Sequence, residues 1–511
     1  MKGRISASRF EANGVSGANV KQDGHDTTRR VVLLGGGGIA SVIVRPITLQ
    51  NLLMPSAEDR LQARPHDASS ENTSDHALLQ AALDRRGIVR LDRSYVIDKP
   101  LTVRSGTQII GDAAAKVQAR IVWRGSPSLP ILRDSSVVDP GEVNRNIVLQ
   151  DFEIAGDGRG HPDQIGIEFY RTGNVTIRNL TVHGVGGSGI RWGNSMADTT
   201  DILVERCRVY NCRAGDAIQG GGRRIVVRDN IVGREDETYS FGDTGIALLS
   251  DFEARTNPAP RQYPVEVAIT GNTIVGNESI GGAGRNSGSQ TGIALGPFAV
   301  DHDAAVKIAG NQIRRCHVNM WIAVMRGVTL TGNELGPHSS PLTASVRLDG
   351  VSRLRIEGNV IALVGPVHDA GRDLAAILLN AQRNVFGAST FDADVADFVI
   401  RANHITSTDG GQGIRLAFGQ NNRAPRYVSR MERGEIAGNR FIGVEKPVVF
   451  ASQYGENPDV CRAVLVRGNV VDERALSIVF MAGKPAQYRG VTVDHNTAPA
   501  RLPRYLGTGA P

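Results

Sequence analysis

The sequence predicts an all-β fold, a single-stranded parallel β-helix in which one short unit is stacked many times. A phrase of alternating aliphatic and polar residues closes repeatedly on Asn, as in RIVVRDNIV at 224–232 and EVAITGNTIV at 266–275, and such alternation is typical of strands. Each unit also carries a small residue followed by aliphatics, as in GIAL at 245–248. The shortest spacing, 22 residues from Asn311 to Asn333, fits three short strands and tight turns at about 3.3 Å per residue, which makes one coil.

The residue that closes each phrase predicts a column at one corner of the coils. Asn tolerates unusual backbone angles at turns and hydrogen-bonds locally, and stacked copies form a ladder of side-chain amides. We therefore assign the column a structural role and no catalytic one, with Cys207 as a small buried hydrophobe. The column is predicted to consist of Asn179, Cys207, Asn230, Asn272, Asn311, Asn333, Asn359, Asn403, Asn439, Asn469 and Asn496.

Residues 1–50 have the character of an export leader. Arg29 and Arg30 precede Gly35–Val44, an apolar and Gly-rich run. This run is too short for a stable membrane span, but it suits a signal peptide, and the paired arginines are typical of the twin-arginine route. A buried first strand is the alternative interpretation. We expect recognition by the twin-arginine export machinery of a bacterium and a periplasmic or secreted location.

A short helix is predicted from Asp75 to about Leu83, with Ser74 as its N-cap. A solenoid has an open end that needs a cap, so this helix is expected to cover the N-terminal end of the coil. The expected organisation is a leader at 1–50, a linker at 51–72, the β-helix at 73–500 and a C-terminal tail at 501–511.

The segment that follows resembles a known family. It reads LQAAL at 79–83, IVRL at 88–91, YVI at 95–97, LTV at 101–103 and GTQIIG at 106–111. This order is similar to the start of the pectate-lyase-3-like right-handed parallel β-helices, which include polysaccharide lyases, glycoside hydrolases, uronate epimerases and phage tailspikes. The resemblance covers most of residues 70–500 and implies a right-handed coil. With its paired-arginine leader, the chain also resembles a group of twin-arginine-exported β-helix-repeat proteins of unestablished activity.

The charge balance favours an acidic polymer as partner. The formal net charge is +6 and the pI is about 9.2, and the positive charge comes mostly from Arg, whose planar fork binds carboxylates. Nucleic acid is not expected, because the chain has no recognition motif, no basic helix and few aromatic residues. The spacing of the four Cys residues predicts no structural zinc. No cofactor is predicted, although acidic turn residues leave Ca²⁺ binding open.

Insertions predict the binding face, because in a solenoid they form loops on one side. Long segments precede the repeated Gly-Ile strand at 233–243, 277–290 and 362–373, and others follow it at 250–263, 380–394 and 418–432. Two walls of loops beside one exposed sheet predict a groove for a linear glycan. The polar floor residues expected to bind substrate are Glu168, Arg191, Gln219, Arg347 and Arg415, with Ala247 and Ala294 between them.

Two carboxylates are predicted to lie near this floor. Asp216 and Asp243 each precede the aliphatic strand of their own coil, and adjacent coils lie about 4.8 Å apart. Paired carboxylates serve a glycosidase as acid and as base or nucleophile, whereas solvated turn residues are the alternative. Polygalacturonases carry N-T-D, G-D-D and G-H-G on successive coils. The matching stretches here are 187–189, 215–217 and 243–245, and only Asp216 agrees, which makes ordinary pectin hydrolysis doubtful.

Lyase or epimerase chemistry needs a base beside the uronate carboxylate and groups that stabilise the resulting anion. His302 is a candidate base, with Asp301 or Asp303 orienting it. This segment partly resembles the Asp-Pro-His-Asp motif of alginate epimerases, and a polar loop tip is the alternative. Glu168 and Arg191 form either part of the binding floor or only a cross-strand ion pair.

The leading functional hypothesis is an exported protein that cleaves an acidic, uronic-acid-containing polysaccharide by lyase or hydrolase chemistry. The catalytic candidates are Asp216, Asp243, His302 and Asp301. A non-catalytic glycan-binding protein of the envelope or matrix is the alternative from another class, since no catalytic set is complete. A uronate C5-epimerase is a further alternative.

Overall fold

The computed structural model describes Gln62–Ala63 and most of residues 74–506, all within the compact unit Ala57–Pro511. The leader and the segment containing Asp301 and His302 lie outside the described residues. So do most of the predicted groove walls. The internal ranges not described are 115–117, 127, 159–160, 162, 194–198, 235–240, 249–265, 278–289, 297–303, 338–343, 365–367, 370–371, 382–383, 387–388, 392–393, 421–427 and 453–459.

The described chain confirms the predicted parallel β-helix, with a sheet of 29 strands that is parallel except at Val428–Ser429, and a parallel sheet of 13. Each coil contributes a floor strand, a second strand and a third strand in that order. The floor strands are Leu101–Val103, Leu132–Asp134, Ile167–Phe169, Ile190–Trp192, Ile218–Gly220, Thr244–Leu248, Thr291–Leu295, Ala375–Asn380, Gln412–Gln420, Lys446–Ser452, Val479–Ala482 and Tyr505–Leu506. Two long strands, Val318–Thr331 and Ala344–Glu357, serve as floor and second strand together.

The second and third strands complete the coil. The second strands are Gln62–Ala63, Ile88–Leu91, Gln108–Gly111, Asn144–Gln150, Thr172–Arg178, Thr200–Glu205, Arg223–Arg228, Val267–Thr270, Val306–Ala309, Val395–Arg401, Met431–Ala437, Cys461–Arg467, Tyr488–Arg489 and Thr492–Asp494. The third strands are Ser94–Ile97, Arg120–Trp123, Glu153–Ala155, Thr181–Val185, Arg208–Cys212, Ile231–Val232, Thr273–Val275, Gln312–Arg314, Glu334–Leu335, Val360–Leu363, His404–Ser407, Arg440–Ile442 and Val470–Val471.

Several short elements lie outside the three strands of each coil. Short antiparallel pairs join His368–Asp369 to Arg372–Asp373 and Asn384–Phe386 to Ser389–Phe391, and Val428–Ser429 lies antiparallel to Gly419–Gln420. In the described part of the chain, 3₁₀ turns span Ser135–Val137 and Pro485–Gln487. Among the described residues, no helix has the length and apolar character that crossing a bilayer requires.

The core consists of aliphatic side chains stacked in register inside the coil. The floor strands send apolar residues inward, and successive coils place one such residue directly above its predecessor. This column is fully buried and consists of Ile167, Ile190, Ile218, Ile246, Ile293, Met320, Val346, Ile377, Ile414, Val448 and Val479. Apolar burial along the axis is therefore the main stabilising contribution to the solenoid.

The predicted amide ladder runs from Asn230 to Asn496. The backbone N–H and Nδ2 of Asn230 both donate to Asn272 Oδ1, at 3.0 and 2.9 Å, and its Nδ2 also donates to the Val204 carbonyl at 3.1 Å. The same bonds recur at Asn272, Asn311, Asn333, Asn359, Asn403, Asn439 and Asn469.

Asn179 was wrongly placed in this column. Arg178 pairs with Glu205, so Leu180 and not Asn179 stands opposite Cys207. Asn179 is instead the left-handed corner residue, with a φ of 53°, that precedes the column. Gly271 and Gly310 take that corner in later coils, with φ of 65° and 63°. The unusual backbone angle and the amide ladder thus belong to adjacent positions.

The capping helix spans Asp75–Asp84, and the Ser74 hydroxyl accepts a hydrogen bond from the Ala77 N–H at 3.2 Å. Its Gln80 side chain binds both backbone groups of Thr102, at 2.9 and 3.0 Å. Asp75 accepts from the Val96 N–H at 2.7 Å. The helix therefore satisfies strand-edge groups that would otherwise be exposed to further pairing.

Candidate functional site

The predicted floor residues occupy one column along the outer face. Strand register places one outward side chain of each coil beside that of the next, about 4.8 Å away. The column reads Thr102, Arg133, Glu168, Arg191, Gln219, Ala247, Ala294, Trp321, Arg347, Leu378, Arg415, Val449 and Phe480. All seven residues expected from the sequence belong to it.

A second outward column begins just before the floor strands. A side chain at Gly189 would meet Val209 and Cys212 in the interior, so the chain turns at this position and the preceding residue faces outward. The Ser188 hydroxyl accordingly donates to Gln219 Oε1 at 3.2 Å. This second column, beside the floor, consists of Ser188, Asp216, Thr244 and Thr291.

Asp216 is the most perturbed acid of this surface. Its residue is only 7% exposed, and one carboxylate oxygen accepts a hydrogen bond from the Thr244 N–H at 3.0 Å. Burial and, secondly, the charge of Asp243 raise the pKa of Asp216 to about 7, against the lowering effects of the Thr244 bond and of Arg191. Asp216 is therefore poised to exchange a proton near neutral pH.

Asp243 lies beside Asp216, one residue before Thr244 in the next coil. Its N–H donates to the Gly215 carbonyl at 3.3 Å, and its carbonyl accepts from the Thr291 N–H at 3.0 Å. Its side chain is partly exposed. The two carboxylates predicted from their spacing thus influence each other electrostatically, and Arg191 and Gln219 lie in the same part of the face.

The predicted ion pair between Glu168 and Arg191 is present, because Arg191 Nη2 contacts Glu168 Oε1. The Glu168 side chain is 12% exposed and that of Arg191 is 30% exposed. The buried Nε of Arg191 has no hydrogen-bond partner among the described residues. Arg191 thus pairs with Glu168, and its charge also lowers the pKa of Asp216.

Arg347 and Arg415 lie in the same column but far from the acid pair. Four coil steps separate Gln219 from Arg347, about 19 Å, and six separate it from Arg415, about 29 Å. The face is therefore an extended groove floor, and its polar residues do not form a single compact site.

Sequence reasoning missed a cluster around Trp321. Trp321 Nε1 and Arg347 Nε donate to Asp349 Oδ2 at 2.9 and 2.8 Å, and Asn380 Nδ2 donates to Asp349 Oδ1 at 3.0 Å. The Arg347 guanidinium lies 5.6 Å from the Trp321 ring centroid. The strand Val318–Thr331 lacks the Gly-Ile phrase that marks other floor strands in the sequence. Counting alternate outward positions along the chain from Asn311 would have identified Trp321 as a floor residue.

Metal binding has no described basis. Within the residues that the structure covers, no group of three or more His, Cys, Asp or Glu side chains is arranged to hold an ion. The four Cys residues are buried free thiols. Asp301 and His302 lie outside the described residues, so their predicted roles stay predictions.

Comparison with known proteins supports the fold. No protein-family model and no curated protein sequence matches the chain. The A-module of mannuronan C-5 epimerase AlgE6 from Azotobacter vinelandii is similar in structure, with a TM-score of 0.56, 16% identity and coverage of 80% of this chain and 99% of that module. The AlgE4 A-module from the same organism gives 0.53, 15%, 77% and 99%.

The N-terminal fragment of gene product 12 from bacteriophage Phi29 is also similar, with a TM-score of 0.57, 13% identity and coverage of 88% of this chain and 73% of that fragment. At these identities the likeness concerns the fold alone. The class is thus defined as a right-handed parallel β-helix protein. The closer resemblance to pectate-lyase-3-like proteins and to the twin-arginine-exported group stays a prediction.

Proposed function

We propose that the protein binds an acidic polysaccharide along the floor column and cleaves it at Asp216 and Asp243. The observation that carries this proposal is the raised pKa of Asp216, about 7, beside a second carboxylate on an outward face. A carboxyl group that is protonated near neutral pH, beside a second carboxyl group, is the usual arrangement for glycosidic bond hydrolysis. The proposal makes Asp216 the general acid and Asp243 the base or nucleophile.

The chemistry follows from the two environments. At neutral pH a substantial fraction of Asp216 is protonated, so it can give its proton to the leaving oxygen of a glycosidic bond. Asp243, which is more exposed, acts as the base that activates water or as the nucleophile that attacks the sugar. The Thr244 N–H holds the Asp216 carboxyl in place at 3.0 Å. This backbone donor orients the carboxyl in both protonation states, because an oxygen of the neutral acid also accepts a hydrogen bond.

The similarity to mannuronan C-5 epimerase modules makes mannuronan a natural first substrate to test. The purified full chain is incubated with mannuronan, polygalacturonate and a neutral glucan. Reducing ends, ultraviolet absorbance of unsaturated uronate ends and C5 inversion by NMR are measured separately. Reducing ends without new absorbance indicate a hydrolase, absorbance indicates a lyase, and inversion without shortening indicates an epimerase.

Asp216→Asn and Asp243→Asn should each lower the cleavage rate at least about a hundredfold, as loss of general acid–base catalysis does. Glu334→Gln is the matched control, since Glu334 is exposed on a third strand away from the groove, and it should keep full activity. Equal activity of Asp216→Asn and the parent protein refutes the assigned chemistry.

A non-catalytic glycan-binding protein is the second candidate, and the Glu168–Arg191 ion pair favours it. An ion pair across the floor organises polar groups for binding and supplies no proton transfer. This candidate is supported over the enzyme if the protein binds a uronate polymer saturably but produces no reducing ends, no ultraviolet absorbance and no C5 inversion.

We further propose export by the twin-arginine route, motivated by Arg29, Arg30 and the apolar run that follows them. Replacing both arginines by Lys removes the signal with the charge retained. Expression in a bacterium followed by fractionation should then show the parent protein in the periplasm or medium and the variant in the cytoplasm. Equal distribution of the two contradicts the proposal.

A further inference from the structure

We infer that Trp321, Arg347, Asp349 and Asn380 form a second binding subsite, which holds one uronate ring of the polymer three to four coils away from Asp216. The inference rests on the proposed function for the identity of the polymer, but its geometry stands independently. The four residues lie on two adjacent outward columns of three successive coils.

Asp349 organises the subsite. It is 1% exposed, and it receives hydrogen bonds from the Trp321 indole, the Arg347 guanidinium and the Asn380 amide at 2.8 to 3.0 Å. A buried carboxylate with three donors fixes the orientation of all three side chains. The recognition groups are therefore rigid before a ligand arrives, which reduces the entropy cost of binding.

Two other side chains of the cluster carry groups whose chemistry matches a uronate. The half-buried Trp321 ring offers an apolar surface to the C–H face of a sugar. Arg347 uses its Nε for Asp349, so its two Nη groups can hold a carboxylate in the planar two-point manner of Arg. The Arg347 side chain is 33% exposed, and a ligand can therefore reach it.

Asn380 supplies an independent indication of a ligand. It is 4% exposed, and because Asp349 requires a donor, the amide orientation is set with Nδ2 toward Asp349. Its buried Oδ1 then has no hydrogen-bond partner among the described residues. An unpaired buried acceptor is costly, and a sugar hydroxyl is a donor of suitable size to satisfy it.

The floor column carries only small side chains between the two sites. Gln219, beside Asp216, and Trp321 are separated only by Ala247 and Ala294, each at most 5% exposed. Both alanines are buried, and Gln219 and Trp321 lie about 14 Å apart along the axis, three coil steps. A pyranose ring is about as long as one step, so a strand of about four sugars reaches from Asp216 to Trp321.

The test uses Asp216→Asn as a host that binds without cleaving. Uronate oligomers of two to six units from mannuronan are titrated while tryptophan fluorescence is followed. Trp123 and Trp192 are 0% and 1% exposed, so a saturable change reports Trp321. Oligomers of about four units and more should bind more tightly than dimers, and neutral oligomers of equal length should bind at least about tenfold more weakly.

Three variants in this host separate the subsite from general attraction. Arg347→Gln should weaken uronate binding by about tenfold or more, whereas Arg208→Gln, an exposed arginine on a third strand, should change it little. Trp321→Phe should abolish the fluorescence change and weaken calorimetric binding. Equal affinity in Arg347→Gln and Arg208→Gln overturns the subsite, even if the parent cleaves polymer. Saturable binding that depends on Arg347 supports it, even if no polymer is cleaved.

Discussion

Replacing Asp216 by Asn should make the protein more stable at alkaline pH. The substitution keeps the shape and the oxygen that accepts the Thr244 N–H, but it removes the charge that burial and Asp243 oppose. Since the pKa of Asp216 is raised in the folded state, from 3.8 to about 7, the folded protein holds this proton more tightly than the unfolded chain. Stability from this group is therefore complete at low pH and is lost as the pH rises toward 7.

The size of the effect follows from the two pKa values. A difference of about three pH units corresponds to about 4 kcal/mol at 1.36 kcal/mol per unit. By linkage, about 2 kcal/mol of this is already lost at pH 5 and about 4 kcal/mol at pH 8. The gain in free energy of unfolding of Asp216→Asn over the parent protein should thus be larger at pH 8 than at pH 5 by about 2–3 kcal/mol.

The assay is denaturant unfolding of both proteins at several pH values, with circular dichroism as the signal. The free energies of unfolding are compared where both proteins show the same dependence on denaturant concentration. Neighbouring charges give two internal controls. Asp243→Asn removes a charge that raises the pKa of Asp216 and should move the transition to lower pH, whereas Arg191→Gln should move it higher. A stability difference between Asp216→Asn and the parent that does not change with pH refutes the reasoning, and with it the assignment of Asp216 as a proton donor near neutral pH.

The remaining predictions concern the ladder, the thiols and the reaction. Asn333→Ala leaves the Asn311 N–H and the Ile308 carbonyl without their partner, so it should lower the free energy of unfolding by about 3–5 kcal/mol in denaturant titrations. The control Asn174→Gly, at an exposed amide pair, should lower it by under about 0.5 kcal/mol. Similar decreases in the two variants contradict the stabilising role of the ladder. Burial raises the pKa values of the thiols of Cys207, Cys212, Cys316 and Cys461, so a thiol reagent should label them only after denaturation, and fast labelling of native protein is the contrary result. If Asp216 is the acid, the cleavage rate should fall tenfold per pH unit well above pH 7, and a flat profile excludes that role.

The repeat period was enough to predict the coil, because every unit must bury its aliphatic residues on the same inner face. The floor column was also predictable, since strand alternation determines which residues point outward. The ladder was misplaced at Asn179, because this Asn follows its strand one residue earlier than Asn230 does, and strand register puts Leu180 in the column instead. Cys207 was placed correctly because the phrase around it keeps its spacing.

The chemistry was less accessible to sequence reasoning. Asp216 and Asp243 were found from spacing, but the raised pKa of Asp216 depends on how closely its surroundings exclude water. The Trp321 cluster joins residues from three coils, separated along the chain by as many as 59 positions between Trp321 and Asn380. Such contacts depend on coil lengths, and those vary with every insertion.

The residue type at one corner of the coils changes along the β-helix, so that only the later coils are joined to their neighbours by side-chain amides there. Phe152, Leu180 and Cys207 fill that corner in the early coils, and from Asn230 onward every coil is tied to the next by side-chain amides. Coupling between neighbouring repeats sets how cooperatively a solenoid opens. The ladder begins where the Cys207 N–H donates to Asn230 Oδ1 at 2.9 Å, and Asp216 lies in the coil that carries Asn230, the first amide of the ladder. Amide hydrogen exchange should therefore be graded, faster in the coils before residue 230 and slower in those after it.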